Sequence, residues 1–161
     1  MPAEIQRRRA QKRNAQRDAF DIRRILVPVD FSKSSRKALA YSLPLARKSG
    51  ARIILLYVVE PIATPDFAYY PLMMENDKVM AAGHEELKKI CAQEEIEPEI
   101  VERKLVRKGV AHREITAAAR TLKVNLIVIA TRGNTGLKHM LMGSAAERVV
   151  RHAACPVLVV R

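Results

Sequence analysis

Tryptophan is absent from the 161 residues, and three phenylalanines and four tyrosines are the whole aromatic complement. A core for this chain must therefore be built from aliphatic side chains. Only two cysteines occur, Cys91 and Cys155, too far apart in sequence for ligand-like spacing. Neither a disulfide framework nor a thiolate metal site is expected, and both read as buried free thiols in a reducing compartment. No apolar run approaches the ~20 residues that span a bilayer. The opening MPAEIQRRRAQKR has no apolar segment of the kind that directs secretion, so a cytoplasmic protein is expected. There is no G-x-x-x-x-G-K-[ST] sequence and no G-x-G-x-x-G after the first strand, which excludes a P-loop NTPase and argues against a dinucleotide enzyme. His84, His112, His139 and His152 lack the spacing of a metal site, and His112 and His152 are expected on helix surfaces.

Acidic residues are also scarce, 17 against 29 Lys and Arg, a net charge of +12. Residues 1–24 hold eight basic and three acidic residues, so this short stretch carries much of the excess. Such charge permits non-specific contact with nucleic acid or an anionic membrane. No aromatic-interleaved platform or helix-turn-helix pattern accompanies it. Residues 1–21 are read as an appended basic arm, helical in part at most, and 22–161 as one domain.

Apolar runs and breakers lay out that domain. Arg24 to Asp30 reads as a strand with Pro28 near its end, followed by a helix from Ser32 or Ser34 to Ser49, closed by Gly50. Ala38, Leu39, Leu43, Leu45 and Ala46 supply its inner face, and Pro44 should bend it or remove a hydrogen bond. Arg52–Val59 is apolar nearly throughout and reads as a central strand. Residues 60–74, with three prolines, read as an irregular segment in which Phe67, Tyr69 and Tyr70 either cover a pocket or pack on the surface. A helix over 75–95 follows, with Val79, Met80, Leu87, Ile90 and Cys91 inward. Residues 97–107 alternate apolar and charged, the pattern of an edge strand. A helix over 110–122, with Val110, Ile115, Ala118 and Leu122 inward, precedes a strand over 124–130. Five strands alternating with four helices predict a parallel α/β sheet with helices on both faces.

The last stretch, Leu126 to Arg161, carries the chemistry. A buried strand ends at Ala130, a loop with Gly133 and Gly136 follows, and Gly143-Ser144 opens a helix with apolar residues at 145, 146, 149 and 150. Ser144 with Glu147 three residues on fits a capping box. A strand, a glycine loop and a helix start together offer amide groups and the positive end of a dipole to an anion such as phosphate. Thr131, Arg132, Thr135 and Lys138 add hydroxyls and positive charge, and His139, in the same segment, reads either as a surface residue or as one that could hydrogen-bond a phosphate.

This stretch resembles the universal stress protein family. The family's motif is Gly, two residues, Gly, nine residues, then Gly-Ser or Gly-Thr. Gly133, the nine residues Asn134–Met142 and Gly143-Ser144 fit it, as do the flanking residues ERVVRHAACPVLVV. The first glycine is replaced by Ala130, which implies weaker rather than abolished binding. The resemblance extends to a strand followed by Pro-x-Asp-x-Ser, met at Pro28, Asp30 and Ser32. It implies an open five-stranded parallel sheet of order 3-2-1-4-5, like that of the adenine-nucleotide α-hydrolases. It further implies a site made by Pro28, Val29, Asp30, Val58, Ala130, Thr131, Arg132, Gly133, Gly143, Ser144 and Ala145. The ligand would be ATP or AMP, with Mg²⁺ or Mn²⁺ held by the phosphates, and Val58 would meet the adenine edge. Asp30 reads either as a ribose or adenine contact or as a helix-entry residue bonding loop amides. Efficient hydrolysis needs a positioned base for water, which nothing in the sequence clearly supplies, so slow or no turnover is expected. The final strand, Pro156–Val160, would lie at an edge, and in the family it pairs across a twofold axis, so a homodimer is expected. Three functional readings stay open. One is a nucleotide-binding stress-response or signalling module; another is a dimeric scaffold whose pocket has decayed at Ala130; a third makes the basic arm a tether to nucleic acid or a membrane.

Overall fold

The sheet is organised around two strands that bury both faces, Arg24–Pro28 (β1) and Leu126–Ala130 (β4). The computed structural model describes residues 21–60, 69–131 and 143–161, with the backbone alone for 69–76. Residues 1–20 of the basic arm, Phe67, and Arg132, Gly133, Thr135, Gly136, Lys138 and His139 lie outside the described residues.

Ser32 caps a helix over Lys33–Ser49 (α1), and Gly50 ends it with φ +69, a left-handed turn in which glycine has no Cβ to clash. The helix runs unbroken through Pro44. That residue and Ala40, the carbonyl partner it deprives, both lie on the exposed side, where water can replace the lost bond. Arg52–Val59 (β2) leads through residues 61–68 to a helix over Tyr69–Gln93 (α2). Residues 69–74 are therefore helical, not irregular as the prolines suggest. Pro71 falls in the first turn, where an N–H has no helical acceptor to lose.

Val101–Lys108 (β3) starts four residues later than the alternation predicts. Residues 97–100 form a turn in which the Ile100 amide donates to the Glu97 carbonyl, 3.0 Å. Ala111–Thr121 (α3), Ser144–His152 (α4) and Val157–Val160 (β5) complete the chain. All pairings are parallel, in the order β3-β2-β1-β4-β5, the arrangement expected.

Alternate residues of each strand feed two cores. On one face Ile25, Val27, Ile53, Leu55 and Val128 meet Leu39 and Leu43 of α1 and Leu87 and Ile90 of α2. On the other face Leu26, Ile54, Leu56, Ile127 and Ile129 meet Ile115 and Ala118 of α3 and Ala146 and Val149 of α4. Burial of a large aliphatic side chain is worth roughly 1.5–3 kcal/mol, so these two layers dominate stability without any tryptophan. Three residues from the apolar patterns read into the helices are exposed. Val79 and Val150 sit on the solvent sides of their helices, and Val110 precedes α3 as its N-cap. No described helix is long and apolar enough to cross a membrane.

Candidate functional site

The strand order reverses between β1 and β4, and a doubly wound sheet opens a crevice at the carboxyl ends of such a pair. Pro28 widens it. The β1–β2 register continues through Pro28↔Leu56, whereas the β1–β4 register ends at Leu26↔Ile127. The Val29 amide donates to the Leu56 carbonyl, 2.9 Å, so by strand alternation the nitrogen of Pro28 faces β4. Proline has no hydrogen there, and the ladder stops where a donor is missing.

At this edge the topology brings together the two motifs that lie a hundred residues apart. Extending the register sets Val58 level with Asp30, and Val29 level with Ala130. Ala130 and Thr131 are buried at the end of β4. The Thr131 amide donates to the Val160 carbonyl at 2.8 Å, and its own carbonyl accepts from the Gly143 amide at 2.6 Å. That second bond seats the start of α4 against the end of β4. Pro28, Val29, Asp30, Val58, Ala130, Thr131, Gly143, Ser144 and Ala145 thus share the carboxyl side of the sheet.

Asp30 is engaged with its own chain. Its Oδ1 accepts from the Ser32 hydroxyl at 2.6 Å and the Ser32 amide at 3.1 Å, and its amide donates to Ser35 Oγ at 3.3 Å. Ser32 Oγ in turn accepts from the Ser35 amide, 3.2 Å, closing the α1 start. The helix-entry role is therefore present, whatever else the carboxylate meets. Between Asp30 and Ser32, Phe31 adopts φ +63, an arrangement that costs a non-glycine residue of order 1–3 kcal/mol.

The start of α3 is closed differently. Val110 is its N-cap and has no polar side chain, but Glu60, just after β2, places Oε1 2.8 Å from the Ala111 amide. A carboxylate there meets both an orphan donor and the positive end of the helix dipole. Glu60 was not among the residues the sequence singled out. Its one signal was indirect, since valine is a poor N-cap and the donor it leaves must find a partner elsewhere.

At α4 the capping box expected from Ser144 and Glu147 does not form. Gly143 is the N-cap, Ser144 is the first helical residue, and Glu147 instead pairs with Arg151 one turn on, 2.9 Å. The Glu147 amide is the first to find a helical acceptor, the Gly143 carbonyl at 3.0 Å. The Gly143 amide is spent on Thr131, so the orphan donors of this helix are those of Ser144, Ala145 and Ala146. An N-cap without a side chain leaves them to a ligand or to the preceding loop.

The two cysteines are half-buried and free, and burial raises the pKa of each thiol, which suppresses the reactive thiolate. Among the described residues no group of three His, Cys, Asp or Glu side chains could hold a metal ion.

A switch point flanked by a Pro-x-Asp-x-Ser turn and a glycine-led helix belongs to a doubly wound parallel α/β fold. The model of the universal stress protein family matches residues 21–161, and the chain belongs to that family. It is 35% identical over 147 residues to Universal stress protein MJ0531 of Methanocaldococcus jannaschii, covering 86% of this chain and 82% of that one. Universal stress protein UspA from Lactobacillus plantarum superposes with a TM-score of 0.75 at 26% identity, covering 87% of this chain and 98% of that one. Two more distant structures share the fold. One is a universal stress protein in complex with cAMP (TM-score 0.62, 23% identity, covering 88% and 98%). The other is that of Archaeoglobus fulgidus in complex with dAMP (TM-score 0.55, 18% identity, covering 88% and 100%).

Proposed function

We propose that this universal stress protein binds an adenine nucleotide, ATP or AMP, and acts in the cytoplasm as a stress-response or signalling module with little or no hydrolysis. The observation that carries the reading is the contrast among helix starts at the carboxyl edge. Ser32 closes α1 and Glu60 closes α3, whereas α4 begins on a residue with no side chain to offer. A phosphate tail at Ser144, Ala145 and Ala146 would meet three amides that have no acceptor within the helix, and the dipole's positive end. Thr131 and the loop residues Arg132 and Gly133 would flank it, with a divalent ion held by the phosphates themselves. The nucleoside would lie across Pro28, Val29, Asp30, Val58 and Ala130. Complexes of two fold relatives with cAMP and dAMP support an adenine ligand as the class to test.

Calorimetric titration with ATP and AMP, with and without Mg²⁺, tests this directly. Saturable heat at micromolar to submillimolar nucleotide is the expected result. No heat, together with no nucleotide carried through purification, would overturn it in favour of the scaffold reading. That second reading also has an observation behind it: Ala130 carries a methyl group at the buried end of β4, where the family places glycine.

In both readings the protein is a homodimer formed through Pro156–Val160. Among the described residues β5 pairs with β4 on one side only, and Leu158 is exposed. An edge strand of this kind offers unpaired backbone groups to a second copy. Sedimentation at micromolar concentration should give twice the chain mass, and Leu158→Lys should lower it.

A further inference from the structure

Phe31 combines two features that rarely occur together, a left-handed backbone and a large side chain. Its φ is +63, and its ring packs on that of Tyr57 with centroids 4.7 Å apart and planes inclined by 54°. Glycine or asparagine would make the same bend at lower cost. Strain of this sort persists where the surroundings over-determine it, and here the surroundings can be traced. Tyr57 lies on β2 in register with Val106 of β3, and α2 crosses above both at Gly83. A Cβ added to Gly83 would stand 2.9 Å from Tyr57 Cδ1, 3.2 Å from Tyr57 Cε1 and 3.1 Å from Val106 Cγ1. The helix therefore rests on the Tyr57 ring with no space for a methyl group. Tyr57 rests on Phe31, and Phe31 is bonded to Asp30.

We propose that Phe31 is a positioning residue for the nucleotide site, its ring held by Tyr57 beneath Gly83 so that the seating of α2 fixes the Asp30–Ser32 turn. This rests on the adenine-nucleotide reading for its ligand, but not for its mechanics. The contact runs from α2, through one tilted aromatic pair, to the turn in which Asp30 Oδ1 holds the Ser32 amide and hydroxyl. Loosening the pair lets the turn sample other backbone angles, and a nucleotide must then order it on binding.

The test uses the full chain and two readouts, the dissociation constant for ATP by calorimetry and amide hydrogen exchange at Ser32 and Ser35. Phe31→Gly keeps the left-handed bend accessible and removes the ring. It is expected to weaken ATP binding about two- to tenfold, the equivalent of one aromatic pair, and to speed exchange at both amides. Phe31→Tyr retains the ring and is expected to restore both values. Gly83→Ala acts from α2, through displacement of Tyr57, and is expected to resemble Phe31→Gly. If Phe31→Gly lowers the melting temperature but leaves affinity and Ser32/Ser35 exchange at their original values, the ring is packing only and the proposal is overturned. Should the unaltered chain bind no ATP, the nucleotide reading fails by itself. Exchange then decides the coupling: faster exchange in Gly83→Ala supports it, and unchanged exchange overturns it. Were Gly83→Ala not to fold, the Phe31→Gly and Phe31→Tyr pair carries the same two outcomes.

Discussion

Helices α3 and α4 pack side by side on one face of the sheet, and each begins at its carboxyl edge. At α3 the N-cap is Val110, and a carboxylate from a different segment, Glu60, comes to the Ala111 amide. At α4 the N-cap is Gly143, its amide is turned back to the Thr131 carbonyl, and the next three donors have no helical acceptor. The helix geometry poses the same problem twice, an end with unmet N–H groups and partial positive charge. One end is answered from within the chain, while the other has no capping side chain at its N-cap. The difference teaches that two helix starts on the same edge can be closed in different ways, one by a carboxylate brought from another strand end and one with no side chain at its N-cap.

The sharpest way to break this comparison is to give α4 the closure that α3 already has. Gly143 has φ −67 and ψ 148, angles open to any L-residue and usual for an N-cap, so Gly143→Asp introduces no backbone strain. Its carboxylate would accept from the first-turn amides and repel a phosphate. ATP affinity should fall by roughly 1.5–3 kcal/mol, about ten- to hundredfold in Kd, the worth of a charge-assisted hydrogen bond. Stability should move the other way, up by a few tenths of a kcal/mol to about 1 kcal/mol. Calorimetry and thermal unfolding on the same preparation would read both signs. A variant that binds ATP as before would remove α4 from the site.

The converse change opens α3. Glu60→Ala leaves the Ala111 amide without its acceptor, since Val110 cannot replace it. The expected loss is about 1 kcal/mol of stability, the usual cost of deleting a cap, with faster hydrogen exchange at Ala111. Glu60→Gln keeps an acceptor and should recover part of it. If neither variant alters unfolding or exchange, Glu60 is a surface neighbour and the contrast between the two helix starts loses one of its terms.

Ala130→Gly addresses the site from the strand side. Ala130 is buried at the end of β4, at a position where the family's motif has glycine. Removal of its methyl group should raise ATP affinity and, because glycine is poorer in a strand, lower stability by roughly 0.5–1 kcal/mol. An unchanged Kd would mean that the methyl group does not face the ligand, and would take the decayed-pocket reading with it.

How much of this was legible beforehand follows from where the information resides. Apolar runs such as Ile53–Leu56 and Leu126–Ile129 bury both faces and announce themselves as strands. Ser32 and Gly50 mark the ends of α1 by local chemistry. Strand order came from family resemblance, because periodicity within an element says nothing of which neighbour it meets. Ser144 misled for a physical reason. Serine is a favoured N-cap, but Gly143 can make the same β-region entry, and the bond from its amide to Thr131 sets the helix one residue earlier. Glu60 and Phe31 were invisible for a related reason, since the partners that give them meaning, Ala111 and Tyr57, are remote in sequence.

The smallest effect belongs to His112, where the two compared helices meet. Partial burial lowers its pKa first, and Arg148, Arg113 and His152 lower it further against an opposing pull from Glu60. The proton therefore binds the unfolded chain more readily than the folded one. Stability from this group is complete above the ordinary histidine range and is lost as pH falls through that range toward the lower folded value. His112→Gln should flatten this part of the unfolding profile between about pH 7 and pH 5, a window set by the ordinary histidine pKa. The change should be greater at low salt than at high salt, because the neighbouring arginines lie at the surface and their field is screened. ATP affinity above pH 7 should be unaffected, since His112 lies on α3, whose start Glu60 already closes. A variant in which ATP affinity and the low-pH arm change together would instead place the α3 start within reach of the ligand, and would require the closed and open ends to be treated as one site.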